Sequence, residues 1–231
     1  LKECIKKFSI KNVILEKIVF NNISECRFAL GLVKNKRISN IFLNYPRETL
    51  KFYKNLKVEI QTPIKSIIVK GNRWNMGSNF MHFIYLFKYL TSANKIKILD
   101  VNTHKKIYKS KRLGYHEIKG SILLQNEKKQ ELLIMDRNNL NFQIEIITKD
   151  RSYIINESKN IIFFTHNKKT KILKETILLK QSQLTSGICN DILRNKANLP
   201  NLQSHYWVER VFFNILKIIS HKSHNKKIYL T

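Results

Sequence analysis

Two residues of the sequence, Lys17 and His82, are of the right type and in the right place to do acid–base chemistry. Lys17 follows Glu16 at the end of the apolar run VIL, which reads as a short buried strand. Ligands of an open parallel sheet bind beyond the carboxyl ends of its strands. A lysine there can donate a proton or hold an anionic intermediate. The alternative is an ordinary pair of solvated charges where a strand reaches the surface.

His82 lies in an apolar, aromatic-rich stretch, GSNFMHFIYLFKYL, that is predicted to be a helix. Ser78 or Asn79 is the predicted N-cap, which puts His82 in the first turn near the positive end of the helix dipole. That position favours neutral imidazole, a usable acid–base group. Phe80 and Phe83 belong to another face, which we expect to enter the core. A buried histidine bonded to a backbone carbonyl is an equally common alternative.

The elements that must position these residues change in character along the chain. The first part alternates between helical spacing and short apolar runs, which is typical of a parallel α/β layer. The predicted helices cover residues 1–8, 23–36 and 47–57, and the predicted strands cover 12–17, 38–43 and 64–70.

After about residue 95, strand-like runs separated by polar turns dominate, which indicates an antiparallel sheet joined by hairpins. The predicted strands cover residues 96–101, 115–125, 131–136, 142–148, 152–156 and 161–165, and two helices follow at about 182–195 and 203–220. The predicted fold class is α/β followed by α+β. Residues 1–45 would end a parallel α/β domain, and residues 46–231 would form an α+β domain with the helices of 182–220 packing back.

The formal net charge of +27 raises the possibility of a nucleic-acid-binding protein. Of the 43 basic residues, however, 34 are Lys and 9 are Arg, and the lysines are spread evenly along the chain. Nucleic-acid binders more often concentrate Arg, which forks onto phosphate and guanine. A solvated lysine coat is therefore the preferred interpretation.

Other features limit the class of protein. The three cysteines are far apart and in no paired motif, which favours reduced thiols in a cytoplasmic protein. The longest strongly apolar run, residues 80–90, is too short to cross a bilayer, so no membrane partner is expected. The pair His221-x-x-His224 has no further ligand nearby, so no metal site is expected. The turn Ser110-Lys111-Arg112 could hold an anionic group.

Several segments, taken in order, resemble the glucose–fructose oxidoreductase/inositol dehydrogenase/MocA-like (Gfo/Idh/MocA) family. They are VILEK, LNYPR, GNRWNMGSNFMHFIYLFKYLT, SKRLGY and QSQLTSGICNDILRNKANLP, and they reach from about residue 10 to residue 220. The similarity is greatest to the branch associated with sugar and surface-polysaccharide metabolism.

The resemblance implies that residues 1–45 end a Rossmann dinucleotide-binding domain. It also implies hydride transfer between a hydroxyl-bearing sugar carbon and NAD or NADP. Lys17 would be the motif lysine near the nicotinamide, with Glu16 beside the cofactor, and His82 would be the histidine of the catalytic helix. Lysine and histidine would handle the proton.

The resemblance also implies a sugar-binding site and a homo-oligomer that forms through the antiparallel sheet. Trp74 and Asn79 would line the sugar site, and Arg47 matches the arginine that follows the inter-domain strand. Lys111 and Arg112, in the segment SKRLGY, would contribute to substrate binding.

The chain departs from the family pattern at three positions. Ile18 stands where the motif has proline, Ser78 where many members have an acid, and Tyr85 where an aspartate often follows the histidine. These departures support a second hypothesis, a catalytically inactive remnant that acts as an oligomerisation scaffold. A basic nucleic-acid-binding protein is the third and least favoured hypothesis.

None of the six glycines forms a G-x-G-x-x-G fingerprint or a P-loop, the motifs that hold a pyrophosphate. The family fingerprint belongs upstream of Glu16, so we expect a truncated sequence. These 231 residues alone should then bind the cofactor poorly or not at all. Titration of NAD(H) and NADP(H) against the isolated chain tests this, and micromolar binding would refute it.

Overall fold

The computed structural model, which describes residues 2–17, 19–111, 113–179, 181–223 and 228–230, begins with a small parallel sheet. Strands β1 (Asn12–Leu15) and β2 (Asn40–Leu43) pair in parallel, after a short helix α1 (Lys2–Lys7). Helix α2 (Ile23–Lys34) connects the two strands and buries one apolar face. The predicted parallel α/β portion is therefore confirmed.

Within the described residues, eight strands form one mixed sheet in the order β12-β11-β10-β9-β3-β8-β7-β4. All neighbouring pairs are antiparallel except β3 and β8. The large, mostly antiparallel sheet is thus confirmed. The strands are β3 (Ile64–Gly71), β4 (Ile96–Thr103), β7 (Gly120–Asn126), β8 (Glu131–Asp136), β9 (Gln143–Thr148), β10 (Arg151–Asn156), β11 (Ile161–His166) and β12 (Lys169–Lys174), and the hairpin strands β5 (Tyr108–Lys109) and β6 (His116–Glu117) pair separately.

Alternation along the strands explains why the sheet has one buried face. In β8, Leu132 and Ile134 are fully buried, whereas the alternating residues Glu131, Leu133 and Met135 are partly exposed. Such a period of two places one side-chain set in the core and the other towards solvent. The buried set packs on helix α4 (Met76–Thr91), whose 16 residues extend about 24 Å.

Helix α4 is the centre of the core. Four residues of the face that was expected to enter the core are at most 1% exposed: Phe80, Phe83, Ile84 and Phe87. The other helices are a 3-10 turn (Pro46–Thr49), α3 (Lys51–Glu59), α5 (Gln181–Leu193) and α6 (Leu202–Ser223). Helix α6 packs on α2, β2 and β4, and so contacts both sheets. None of the described helices combines the length and the apolar composition that crossing a bilayer requires.

Three predicted elements need correction. The strand predicted at 115–125 divides into β6 and β7 because the chain turns at Gly120, whose φ is 126°. A Cβ there would lie 2.3 Å from the carbonyl oxygen of Asn102, so only glycine fits. The helix predicted at 47–57 is a 3-10 turn and α3, separated by Leu50. Strand β12 was not predicted, because its sequence KTKILK is polar and all its side chains are exposed.

A buried carboxyl group should make stability depend on pH. Glu209 on α6 is 1% exposed and accepts a hydrogen bond from the Tyr85 hydroxyl at 3.0 Å. Burial raises the pKa of Glu209 to about 7. As pH rises from the ordinary carboxyl pKa towards 7, the unfolded chain releases this proton while the folded chain keeps it. Stability should therefore fall by roughly 3 kcal/mol over that range.

The Glu209→Gln variant tests this directly, since the amide cannot ionise. Its free energy of unfolding, measured by urea denaturation at several pH values, should not show the decrease expected of the parent chain as pH rises towards 7. Tyr85→Phe should steepen it, because the Tyr85 hydrogen bond lowers the pKa of Glu209. Equal pH dependence in Glu209→Gln and the parent chain would contradict the assignment.

Candidate active site

Helix α4 begins three or four residues earlier than the sequence predicted. It starts at Met76, and Asn75 occupies the N-cap position in the left-handed conformation (φ 58°, ψ 58°) without a side-chain capping bond. The prediction of Ser78 or Asn79 as the cap is therefore wrong, and His82 lies in the second turn rather than the first. The carboxylate of Glu117 on β6 instead accepts hydrogen bonds from the Ser78 backbone N–H (3.3 Å), the Ser78 hydroxyl and the Gly77 N–H.

The first turn of α4 also holds Lys17, which comes from the small sheet. The Lys17 ammonium donates to the Ser78 carbonyl oxygen at 3.1 Å and to Asn79 Oδ1 at 2.5 Å. The Asn79 side chain is oriented by its amide group, which donates to the Trp74 and Asn75 carbonyl oxygens. Lys17 thus contacts Ser78 and Asn79, which follow it by 61 and 62 positions in the sequence, at the point where β1 has ended and α4 begins.

Lys17 and the start of α4 open onto a cleft of about 470 Å³. The lining residues that the sequence predicted are Glu16, Lys17, Asn79 and Lys111. The others are Asn75, Ser78, Ser110 and Glu117. Glu117 was missed in sequence, because a single glutamate in the stretch HEI carries no motif. Arg112, also predicted for substrate binding, lies outside the described residues, as does His224 of the His-x-x-His pair.

Glu16 reaches this cleft from the carboxyl end of β1. Its carboxylate accepts a hydrogen bond from Asn44 Nδ2 at 2.5 Å, and Asn44 directly follows β2. The other side-chain atom of that amide, Asn44 Oδ1, is buried and has no hydrogen-bond partner among the described residues. Both strand ends of the small sheet therefore present polar atoms at one edge, where ligands of parallel sheets bind.

His82 lies one helical turn beyond Ser78 and Asn79 and does not line the 470 Å³ cleft. Its ring packs edge-on against Tyr45, with centroids 5.3 Å apart. Its Nδ1 atom is buried and has no partner in the described part of the chain. Burial, and then the positive charges of Arg47 and Lys17, hold the pKa of His82 well below its ordinary value. The imidazole is therefore neutral at physiological pH.

A second, smaller hollow of about 230 Å³ adjoins the first at Asn79. Trp74 lines it, with its indole N–H donating to the Met135 carbonyl oxygen at 3.0 Å. The Trp74 ring lies 5.3 Å from that of Phe142 and 5.5 Å from that of Phe83, centroid to centroid. The hollow thus has aromatic walls next to the polar cleft.

Arg47 lines the same hollow, but its guanidinium is engaged in a buried ion pair. It donates to both carboxylate oxygens of Glu157, at 2.9 and 2.7 Å, and Tyr53 donates to the same carboxylate at 2.6 Å. The Arg47 Cζ also lies 4.4 Å from the ring centroid of Phe83. Arg47 is therefore held rigidly at the wall of the hollow.

A larger cleft, of about 600 Å³, lies at the opposite end of α4. Its lining residues include Trp207, Arg210 and three lysines, Lys95, Lys97 and Lys129. Among the described residues, Glu127 is the one carboxylate that lines it. Lys17, in contrast, lies against the first turn of α4. Of the two acid–base groups that the sequence predicted, Lys17 therefore lines the 470 Å³ cleft, whereas His82 lines neither cleft.

No protein-family model and no curated protein sequence matches this chain. Solved structures, in contrast, match its fold. The dehydrogenase MviM from Clostridium difficile has a TM-score of 0.65 at 14% identity, covering 90% of this chain and 71% of that one. The UDP-N-acetylglucosamine 3-dehydrogenase GnnA from Acidithiobacillus ferrooxidans also has a TM-score of 0.65, at 11% identity, covering 92% and 70%.

An inositol dehydrogenase homologue from Azotobacter vinelandii, in complex with NADH and myo-inositol, matches with a TM-score of 0.61 at 10% identity. The match covers 94% of this chain and 70% of that one. The chain thus has the fold of the Gfo/Idh/MocA-type oxidoreductases. The resemblance that the motifs carried is confirmed at the level of the fold.

The charge environment of His82 can be measured by its titration. NMR of the imidazole ring as a function of pH should show His82 neutral well below the ordinary histidine pKa. Lys17→Met should raise that pKa, because it removes one of the positive charges that lower it. Lys11→Met, at the other end of β1, is the matched control and should leave the titration unchanged. Equal titrations in both variants would show that Lys17 is not close to the ring.

Proposed function

We propose that the chain is the catalytic and substrate-binding part of an NAD- or NADP-dependent sugar oxidoreductase. The reaction would be hydride transfer at a hydroxyl-bearing carbon of a sugar or sugar derivative. The observation that carries the proposal is the meeting of Lys17, from the end of β1, with the first turn of α4 at one cleft. The fold shared with oxidoreductases supports the general kind of function.

The edge of the small sheet fits the nicotinamide end of such a cofactor. Asn44 Oδ1 and His82 Nδ1 are buried polar atoms without partners among the described residues, and a bound ligand or water could satisfy them. Glu16 and Lys17 would hold the cofactor on this side of the cleft. When bound, the nicotinamide would accept or supply the hydride. The neighbour from Azotobacter vinelandii, which was solved with NADH, supports this assignment.

The chain's own residues would handle the proton. The Lys17 ammonium, fixed by the Ser78 carbonyl oxygen and Asn79 Oδ1, would bind the substrate hydroxyl oxygen and stabilise negative charge on it. His82 is neutral and so could accept the hydroxyl proton as the alcohol becomes a carbonyl. Because His82 does not line the cleft, the hydroxyl proton would reach it through a bridging water or after a small shift of the His82 side chain.

The adjoining hollow would take the sugar ring. Trp74 and Phe142 offer apolar aromatic faces, while Asn79 and Arg47 supply polar groups at the boundary with the cleft. Pockets of this composition bind small ligands by apolar contact and use a few polar groups to orient them. Lys111 and Arg112 would contact more distant groups of the substrate. A role in surface-polysaccharide metabolism, in the cytoplasm, is the narrower form of this proposal.

Two copies of the chain would pair through the open face of the large sheet. Phe163 on β11 is 39% exposed and Ile172 on β12 is 62% exposed, and both are large apolar residues. Contiguous apolar surface on a sheet favours burial against a partner. Light scattering of the purified chain would give its mass, and a monomer would refute this part of the proposal.

An inactive scaffold of the same fold is the second candidate. It is favoured by the ion pair that occupies Arg47 and by the hydroxyl residues Ser78 and Tyr85 at positions where acids were expected. Such a scaffold would keep the fold and the oligomer without turning over a substrate. Activity measurements separate the two candidates.

The enzymatic test is a screen of hydride transfer with NAD and NADP against aldoses, inositols and nucleotide-linked sugars. Formation of reduced nicotinamide is followed by its absorbance. Lys17→Met should reduce the rate by about a hundredfold or more, the usual contribution of an acid–base group. Lys11→Met, at the other end of the same strand, should keep the parent rate. Cofactor binding without turnover of any substrate, or an unaffected Lys17→Met variant, would support the scaffold.

A further inference from the structure

Glu117 occupies a position that the proposed chemistry has not yet used. It lies on β6, in the hairpin next to the start of α4, 39 positions after Ser78 in the sequence. Its carboxylate accepts from the Ser78 hydroxyl and from the backbone N–H groups of Ser78 and Gly77. The helix therefore begins against a carboxylate brought from a distant part of the chain, which complements the positive helix end.

Gly77 allows this close approach. A Cβ at Gly77 would lie 2.8 Å from Glu117 Oε2, closer than real Cβ atoms come to other heavy atoms, and 3.0 Å from Leu230 Cδ2. Glycine is unfavourable inside a helix by about 1 kcal/mol relative to alanine. The contact with Glu117 explains why the first turn of α4 nevertheless carries one.

Ser78 connects Glu117 to Lys17. Its backbone N–H and hydroxyl are bound to Glu117, and its carbonyl oxygen accepts from the Lys17 ammonium. The next residue, Asn79, supplies the second acceptor for that ammonium. A displacement of the first turn would therefore move both acceptors of Lys17 together.

The charges around Glu117 agree with such a role. Burial raises the pKa of its carboxyl group, whereas the Ser78 and Gly77 N–H groups and the Lys17 ammonium lower it, and Asp136 raises it again. Lys111 faces the same cleft. Glu117 is thus a carboxylate, partly shielded from water, in a cleft that also carries Lys17, Lys111, Glu16 and a helix N-terminus.

We propose that Glu117 is the positioning residue of this cleft, which fixes Lys17 in place through the first turn of α4. This rests on the function proposed above, in which Lys17 binds the substrate hydroxyl. Glu117 would act through Ser78 and Asn79, without touching the substrate itself. Loss of its carboxylate should free the Lys17 ammonium and so impair turnover more than substrate binding.

The first measurement is NMR of the lysine side chains of the full chain, with Lys17 identified by its absence in Lys17→Met. In the parent chain its signal should be distinct from those of exposed lysines. Glu117→Gln should move it to the exposed position, and Glu117→Asp should restore part of the difference. Glu127→Gln is the matched control, because Glu127 also accepts two backbone N–H groups, from Asn94 and Lys95, far from this cleft. It should leave the Lys17 signal unchanged.

The second variant, Gly77→Ala, keeps the charge of Glu117 and removes space that its carboxylate occupies, since the nearest atom to the added Cβ is Glu117 Oε2. It should also move the Lys17 signal, although alanine favours the helix. This variant keeps the test open if Glu117→Gln fails to fold, which circular dichroism would reveal. An unchanged Lys17 signal in a folded Glu117→Gln or Gly77→Ala chain would overturn the proposal.

Kinetics complete the test if the chain transfers hydride. Glu117→Gln should lower kcat by about tenfold or more, leave KM nearly unchanged and shift the pH dependence of kcat. A loss of stability alone would leave that pH dependence in place. Because the NMR measurement needs neither cofactor nor turnover, the Lys17 signal decides on Glu117 separately from the proposed function.

Discussion

The hydrogen bonds of the Lys17 ammonium join the end of the small parallel sheet to α4, across from a core that both parts share. Lys17 lies two residues beyond the end of β1, and α4 packs on the large sheet, so the bonds to Ser78 and Asn79 contribute to the relative position of the two sheets. A charge-assisted hydrogen bond is shorter and stronger than a neutral one. This charged contact lies at the cleft, whereas apolar packing joins the same two parts elsewhere.

The aromatic core around α4 makes that contact rigid. Tyr45 stacks on Tyr85 with ring centroids 4.2 Å apart and meets His82 edge-on, so the helix face behind the site is filled. Buried acids in this core have partners: Glu209 accepts from Tyr85, and Glu157 accepts from Arg47 and Tyr53. Removing one partner of such a buried pair would leave a costly unpaired group. Packing and polar pairing thus hold the helix in one orientation.

Much of the fold and part of the site follow from local patterns in the sequence. Period-two alternation located most of the strands, and the position of Lys17 at a strand end pointed to the cleft. The start of α4 was placed wrongly because its cap, Glu117, comes from a strand far along the chain, and no local pattern encodes a contact over that separation. For the same reason, no sequence pattern indicated that Tyr85 donates to Glu209. Sequence patterns show which residues enter the core, but not which distant carboxylate will accept hydrogen bonds from them.

The edge of the large sheet has a consequence for how copies of the chain can assemble. Strand β12 is the outer strand, and its sequence KTKILK places Lys169, Lys171 and Lys174 along an exposed edge. Lysines on an edge strand oppose the addition of another strand by charge repulsion. Growth of the sheet by edge-to-edge pairing is therefore blocked on this side. A strand added at this edge would have to lie beside this row of ammonium groups.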